Sequence, residues 1–399
     1  MNLPYTLHAG DCREVMATFD AESIDAIVTD PPYGLSFMGR EWDHGVPGVP
    51  FWAEALRVAK PGAHLLAFGG SRTFHRLTCS VEDAGWEVRD VLMWLYGQGF
   101  PKSLDVSKAI DKAAGAERPV VGVTRKSIKS MGVGEGAFSD DNYQWQAEFN
   151  RTAPATDAAR QWTGWGTALK PAYEPIILAR KPLRGTVAAN VLAHGTGALN
   201  VDGCRVAAVA GDEPLKWAHG RGMGFHGADN RGKCEATTTS AGRWPANVLL
   251  DEAAAVLVDG QSGELKSGAP GIKRAGNTGA AYGAESRQPG TQMSGFGDSG
   301  GASRFFYTSK ASAEDRDRWA GNDHPTVKPT DVMRWLCRLI TPPGGLILDP
   351  FMGSGSTGVA AVEERFQFVG IDLDPRHVDI AERRLQHATR QPDLFGGAT

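Results

Sequence analysis

The chain has 399 residues, 41% of them hydrophobic, with a formal net charge of -4. That length suggests one large α/β domain plus a module, or two domains, with enough apolar material for a sizeable core. No apolar run approaches about 18 residues, which argues against a helical membrane span, and residues 1–5 lack the basic-then-apolar pattern of a signal peptide.

Along the first hundred residues, strand and helix patterns alternate. Residues 5–8 read as a short strand and 13–17 as the start of a helix. Residues 24–29 are apolar on both parities, the mark of a strand buried on both faces. Residues 51–59 have helical spacing, stopped by Lys60-Pro61-Gly62. A second buried strand is expected at 64–68, an amphipathic helix at 73–84 and a strand at 87–96. This alternation predicts a parallel sheet covered by helices.

The middle differs in kind. Residues 101–130 concentrate Lys102, Lys108, Lys112, Arg118, Arg125, Lys126 and Lys129 against Asp105, Asp111 and Glu117. This is a candidate nucleic-acid face, although such a stretch is more often a solvated surface. Residues 126–162 look irregular. Trp162, Trp165, Trp217 and Trp244 sit among basic residues and could stack on bases; aromatics are more often core. Two segments, 174–179 and 304–309, resemble core strands. From 260 to 301 glycines recur with hardly any large apolar groups, so a mobile loop is expected. The α/β rhythm then resumes: a helix at 331–340, a strand at 346–348, a glycine loop with a helix through 364, a strand at 367–371 and a helix at 377–385. The two chain ends are therefore expected to build one sheet. The five cysteines (Cys12, Cys79, Cys204, Cys234, Cys337) are scattered. They suggest incidental or structural thiols in a reducing cytoplasm and no metal site.

Two loops carry the chemistry. The strand 24–29 empties into Asp30-Pro31-Pro32-Tyr33. The strand 346–348 empties into Asp349-Pro350-Phe351-Met352-Gly353-Ser354-Gly355, where glycines let backbone approach a ligand at a helix N-terminus. One β-α unit later Asp372 ends a strand, a position that suits a ribose diol; helix capping is the bland alternative, and Asp374 fits that role better. His324-Pro325-Thr326-Val327-Lys328-Pro329 and Gly10-Asp11 complete the set.

Together and in this order, these motifs resemble the DNA amino-methyltransferases of the β type, with permuted motif order and a D-P-P-Y catalytic loop. The resemblance covers roughly 1–100, a short strand near 174, and 324–386. It implies a Rossmann-like fold dependent on S-adenosylmethionine, with a mostly parallel seven-stranded sheet and an inserted target-recognition region. Residues 1–180 would form the catalytic half, with an irregular insertion at 101–168. Residues 181–320 would be the recognition region, 321–390 the cofactor half and 391–399 a tail. The segment 174–179 is taken as the sheet's edge hairpin strand, with 304–309 as its competitor.

The resemblance also assigns roles. Asp11, Lys328, Asp349, Phe351, Gly353, Gly355 and Asp372 would line the cofactor, with Asp11 near the adenine moiety and Lys328 at the methionine carboxylate. Asp30 and the Pro31 carbonyl would accept both hydrogens of an exocyclic amine, Pro32 would stiffen the loop, and Tyr33 would stack on the base. A target inside a duplex must be extruded first. The implied reaction is methylation of adenine N6 in DNA, because Asp at the first loop position goes with adenine more than with cytosine. The alternatives are N4-cytosine, a protein glutamine or RNA target, and a non-enzymatic nucleic-acid binder. A cytoplasmic protein is expected, and dimers occur among such relatives.

Overall fold

In a computed structural model of the chain, the sheet is centred on strands buried on both faces. The structure describes residues 3–35, 45–97, 99, 103–127, 146–206, 216–217, 237–238, 242–266, 272–273, 292–293, 299–310, 320–322 and 327–390. The main-sheet strands are β1 (Tyr5–Ala9), β2 (Ile24–Thr29), β3 (Ala59–Phe68), β4 (Glu87–Leu95), β5 (Tyr173–Arg180), β6 (Val248–Asp251), β7 (Tyr307–Ser309), β8 (Leu346–Asp349) and β9 (Gln367–Asp372). Their order is β1-β9-β8-β2-β3-β5-β4-β6-β7. All neighbours are parallel except β5, which runs antiparallel between β3 and β4.

Nine strands stand where seven were expected. The two additions, β6 and β7, extend the sheet beyond β4. They are four and three residues long; the first is too short to show a periodic pattern in sequence, and the second lies within the strand-like segment 304–309. The rivalry between 174–179 and 304–309 dissolves in the same way. The first lies inside the nine-stranded sheet as the antiparallel strand, and the second supplies the outermost strand.

The alternation along β2 and β3 explains the layers. Ala26, Val28, Leu66 and Phe68 face one apolar cluster, closed by α8 (Thr330–Ile340), α9 (Ser356–Glu363) and α10 (Pro375–Arg390). Ile27, Leu65 and Ala67 face the other, closed by α1 (Cys12–Ala17), α2 (Val49–Val58) and α3 (Phe74–Asp83). On α8, Val332, Trp335, Leu336 and Leu339 are all buried, each worth roughly 1.5–3 kcal/mol relative to exposure. Among the described residues no helix is long and apolar enough to cross a membrane.

Two compact units appear. One comprises 1–98 with 173–399, the other 99–172. The smaller holds α4 (Val106–Ala113), an antiparallel ribbon of Val120–Ser127 with Gln146–Thr152, and α5 (Asp157–Gln161). Its anchor is the buried carboxylate of Asp111. It accepts from Arg118 at 2.6 Å, from the N–H groups of Ala155 and Thr156 at 3.0 Å, and from Thr156 Oγ1 at 2.8 Å. Arg118 therefore serves its own unit and drops out of the expected basic face. Lys102, Lys129 and the side chains of Arg125 and Lys126 lie outside the described residues.

The stretch 260–301, expected to be a mobile loop, lies largely outside the described residues, which show only its ends and two short pairings. Helix α7 (Glu252–Ser262) runs into it, and Leu265–Lys266 pairs with Ser299–Gly300. Asp259 accepts from both Ser303 N and Ser303 Oγ at 2.8 Å, which ties the two ends together. Ile272–Lys273 pairs with Gln292–Met293; residues 274–291 between them lie outside the described residues, as does the tail 391–399.

Candidate active site at the strand ends

Parallel neighbours end at the same edge of a sheet, and open α/β sheets gather ligands there. β1, β9, β8 and β2 are four such neighbours. Each is closed by an acid: Asp11 just after β1, Asp372 ending β9, Asp349 ending β8 and Asp30 just after β2.

Asp349 is fully buried and links the two loops. Its Oδ1 accepts from Thr29 Oγ1 at 2.6 Å and from Phe351 N at 3.0 Å, and its Oδ2 accepts from Thr357 Oγ1 at 2.5 Å. Burial pushes its pKa up to about 7, against these three hydrogen bonds, which favour the anion. Asp349 thus holds the glycine loop onto the end of β2, one residue before Asp30.

Asp372 faces the same loop. Its Oδ2 accepts from Gly353 N at 2.9 Å; its Oδ1 accepts from Asp374 N at 2.9 Å and lies 3.1 Å from His377 Nδ1. The hydrogen bond to Asp372 raises the His377 pKa above its ordinary value. Asp374 takes the capping role at α10, accepting from Arg376 N at 2.9 Å. Asp11 caps α1, accepting from Arg13 N at 2.8 Å, and also pairs with the Arg13 guanidinium at 2.6 Å. That hydrogen bond holds the Asp11 carboxyl below the usual carboxylate range. Arg13 in turn lies over the Phe51 ring at 4.5 Å, and Phe51 lies 5.9 Å from the Phe351 ring, so an aromatic wall borders this corner.

Gly353 and Gly355 both have positive φ, 52° and 84°. Gly355 does not line an open space, however. A Cβ there would come within 2.8 Å of Ala381 Cβ and 3.1 Å of Leu385 Cδ1. Its smallness lets α9 start against α10.

At the other loop, Asp30, Tyr33, Glu174 and Lys328 form one cluster. Lys328 Nζ is 2.6 Å from Asp30 Oδ2, 3.2 Å from Glu174 Oε2 and 3.1 Å from Tyr33 Oη. Tyr33 Oη is 2.8 Å from Asp30 Oδ1 and 3.0 Å from Glu174 Oε2. The ammonium also lies 4.8 Å above the Phe68 ring. Burial alone would lower the Lys328 pKa, but Asp30 and Glu174 outweigh it and hold it above the usual lysine range. Burial, then the charges of Asp30 and Glu174, push the Tyr33 phenol well up. Thr73 Oγ1 fixes the loop by donating to Tyr33 O at 2.6 Å.

The expected site residues therefore converge, with one shift of partner: Lys328 reaches the Asp30 loop. His324, Pro325 and Thr326 lie outside the described residues. Sequence reasoning missed Glu174, Thr29, Thr357 and His377. For Glu174 a signal existed, since an acid next to the buried run 175–179 of a strand is unusual. Trp162 and Trp165 form an exposed edge-to-face pair with centroids 5.0 Å apart, and Trp244 is exposed beneath Arg205. The Trp217 side chain lies outside the described residues. Among the described residues no cluster of metal-ligating side chains occurs.

Comparison with known proteins places the chain in a family. The chain is 37% identical over 98 residues to the type II methyltransferase M.Cfr9I of Citrobacter freundii, covering 21% of this chain and 33% of that protein. It is 43% identical over 70 residues to M2.DpnII of Streptococcus pneumoniae, covering 18% and 26%. These alignments span about a third or less of the relatives' length. Among solved structures, the cytosine-N4-specific PvuII DNA methyltransferase aligns at 13% identity over 97% of this chain and 92% of that one, with a TM-score of 0.44. The family model described as DNA methylase, covering N6 and N4 enzymes, matches residues 24–383, nearly the whole chain. The chain belongs to the N6/N4 DNA methylase family.

Proposed function

We propose that this chain transfers a methyl group from S-adenosylmethionine to the N6 amino group of adenine in DNA. The observation that carries this reading is the bond from Thr29 Oγ1 to Asp349 Oδ1, which fastens the glycine loop beside the Asp30 loop. A site for two substrates needs two such loops within reach of each other.

The residues fit the cofactor's chemistry. Carboxylates ring the strand ends, as a cationic ligand with a ribose diol requires. Each carboxylate oxygen accepts more than one hydrogen bond, so Asp372 can take ribose hydroxyls while keeping Gly353 N. Phe351 supplies an apolar surface beside Phe51. When bound, S-adenosylmethionine supplies an electrophilic methyl on a positively charged sulfur. The chain's own task is to make an aromatic amine nucleophilic. Asp30 and the Pro31 carbonyl accept its two hydrogens and localise its lone pair; proline's fixed φ holds that carbonyl still. Tyr33 offers a face for the base. The base must leave its stack to arrive. The adenine preference rests on Asp, the first residue of the loop, in the β-type resemblance.

Digestion of DNA from cells expressing the protein, with mass spectrometry of the nucleosides, tests the reading. N6-methyladenine is expected. N4-methylcytosine would keep the mechanism and overturn the target; unmodified DNA would overturn the function.

A further inference from the structure

Glu174, the second residue of β5, faces the Asp30 loop, yet the proposed mechanism gives it no role. It contacts the same two donors as Asp30, the Lys328 ammonium and the Tyr33 hydroxyl. The phenol has a single proton and can donate to only one of the two carboxylates at a time. Lys328 is 8% exposed, so its charge depends on protein partners. Among the described residues, only Asp30 and Glu174 pair with it. With both donors on Asp30, that carboxylate is the one left least able to accept a substrate amine.

We propose that Glu174 is a positioning residue: it takes over the Lys328 ammonium and the Tyr33 hydroxyl when Asp30 turns to the substrate amine. The inference rests on the reading of Asp30 as amine acceptor. The geometry needs only a shift of partner, since Lys328 Nζ and Tyr33 Oη already lie 3.2 and 3.0 Å from Glu174 Oε2. Two carboxylates and one ammonium leave the cluster with one surplus negative charge, so one carboxylate is always available. Without Glu174, Asp30 and Lys328 close into a neutral pair.

The test begins with Glu174→Gln, which keeps the shape and loses the charge. The kcat for DNA methylation should fall roughly 10- to 100-fold, with the KM for S-adenosylmethionine within about threefold of wild type. The double variant Glu174→Gln with Lys328→Gln should recover at least about threefold over Glu174→Gln alone, because no ammonium then occupies Asp30. A merely structural Glu174 predicts no such recovery. In cofactor-free protein labelled with ¹⁵N-lysine, the Lys328 ammonium resonance, identified by its loss in Lys328→Gln, should move in Glu174→Gln. Wild-type kcat in Glu174→Gln, a double variant slower than the single one, or an unmoved resonance each overturns the proposal. If wild-type protein methylates no DNA, the functional reading falls instead, and the resonance still decides whether Glu174 holds Lys328.

Discussion

Asp30 shows how one side chain can be needed for chemistry and be replaceable for folding. Its carboxylate is partly exposed and its partners have a second acceptor in Glu174. Asp30→Ala should therefore fold, with Lys328 resting on Glu174. Methyl transfer should fall by about 10²- to 10³-fold, the usual cost of removing a fixed electrostatic group. Calorimetry should find S-adenosylmethionine binding little changed; turnover near wild type would remove Asp30 from the mechanism. Gly355 behaves in the opposite way. A methyl there meets Ala381 Cβ at 2.8 Å while φ is 84°. Left-handed strain costs about 1 kcal/mol and overpacking about 1–3 kcal/mol more. Gly355→Ala should thus lower the melting temperature by several degrees, and an unchanged melting curve would show that α9 and α10 separate freely.

Within β3, one buried histidine adds a pH dependence. His64 is 4% exposed, and burial, aided by Arg180 and Arg89, lowers its pKa to about 4. Its unfolded value is near 6.5, so the unfolded chain binds more protons between these limits. The His64 contribution is whole above pH 6.5 and is lost as pH falls through 4. At pH 5 the loss is about 2 kcal/mol. Asp349 runs the other way: its raised value of about 7 means stability from that group declines as pH rises from about 4 to 7. On going from pH 7.5 to 5, urea unfolding should show His64→Phe faring better than wild type by about 2 kcal/mol, whatever Asp349 adds to both; identical changes in the two proteins would mean that His64 is solvated.

At this scale much was legible. Continuous apolar runs announced β2 and β3, and helical spacing announced α8, because burial on both faces or one face writes directly into the pattern. The motif loops were legible because strand, glycine and acid fall in fixed order. The acid at Glu174 stood out, but its place in the site was hidden because its partners, Asp30 and Lys328, are far away along the chain. The strand β6 was hidden because four residues carry no period. Glycine content misled at 265–266 and 299–300, where backbone pairing needs no apolar side chain.

At the scale of the whole molecule, the smaller unit is an insertion in the chain between β4 and β5. β4 and β5 pair with Leu95 opposite Tyr173, so the chain leaves the sheet and returns at one place. Replacing residues 99–172 with a short Asn-Gly turn should leave the larger unit folded, with a melting temperature within about 5 °C of the full chain. Loss of the cooperative transition would show that the larger unit depends on the smaller. The same variant asks whether the exposed Trp162 and Trp165 serve DNA: its methylation rate should fall while S-adenosylmethionine binding remains.

The register between Tyr5 and Phe368 sets a timetable for synthesis. β2 through β5 have been synthesised once residue 180 is made, but β8 waits for residue 349. At about 5–20 residues per second this gap lasts on the order of 10–30 s. Throughout it, the nascent chain carries β2 with a bare hydrogen-bonding edge, and β1 has no neighbour until β9 arrives. Such an edge invites pairing with other chains. Nascent chains stalled near residue 340 should therefore be protease-sensitive and bind holdase chaperones, and those stalled after residue 390 should resist digestion once free of the tunnel. Protection already complete at 340 would mean that the first strands find a temporary partner within their own half.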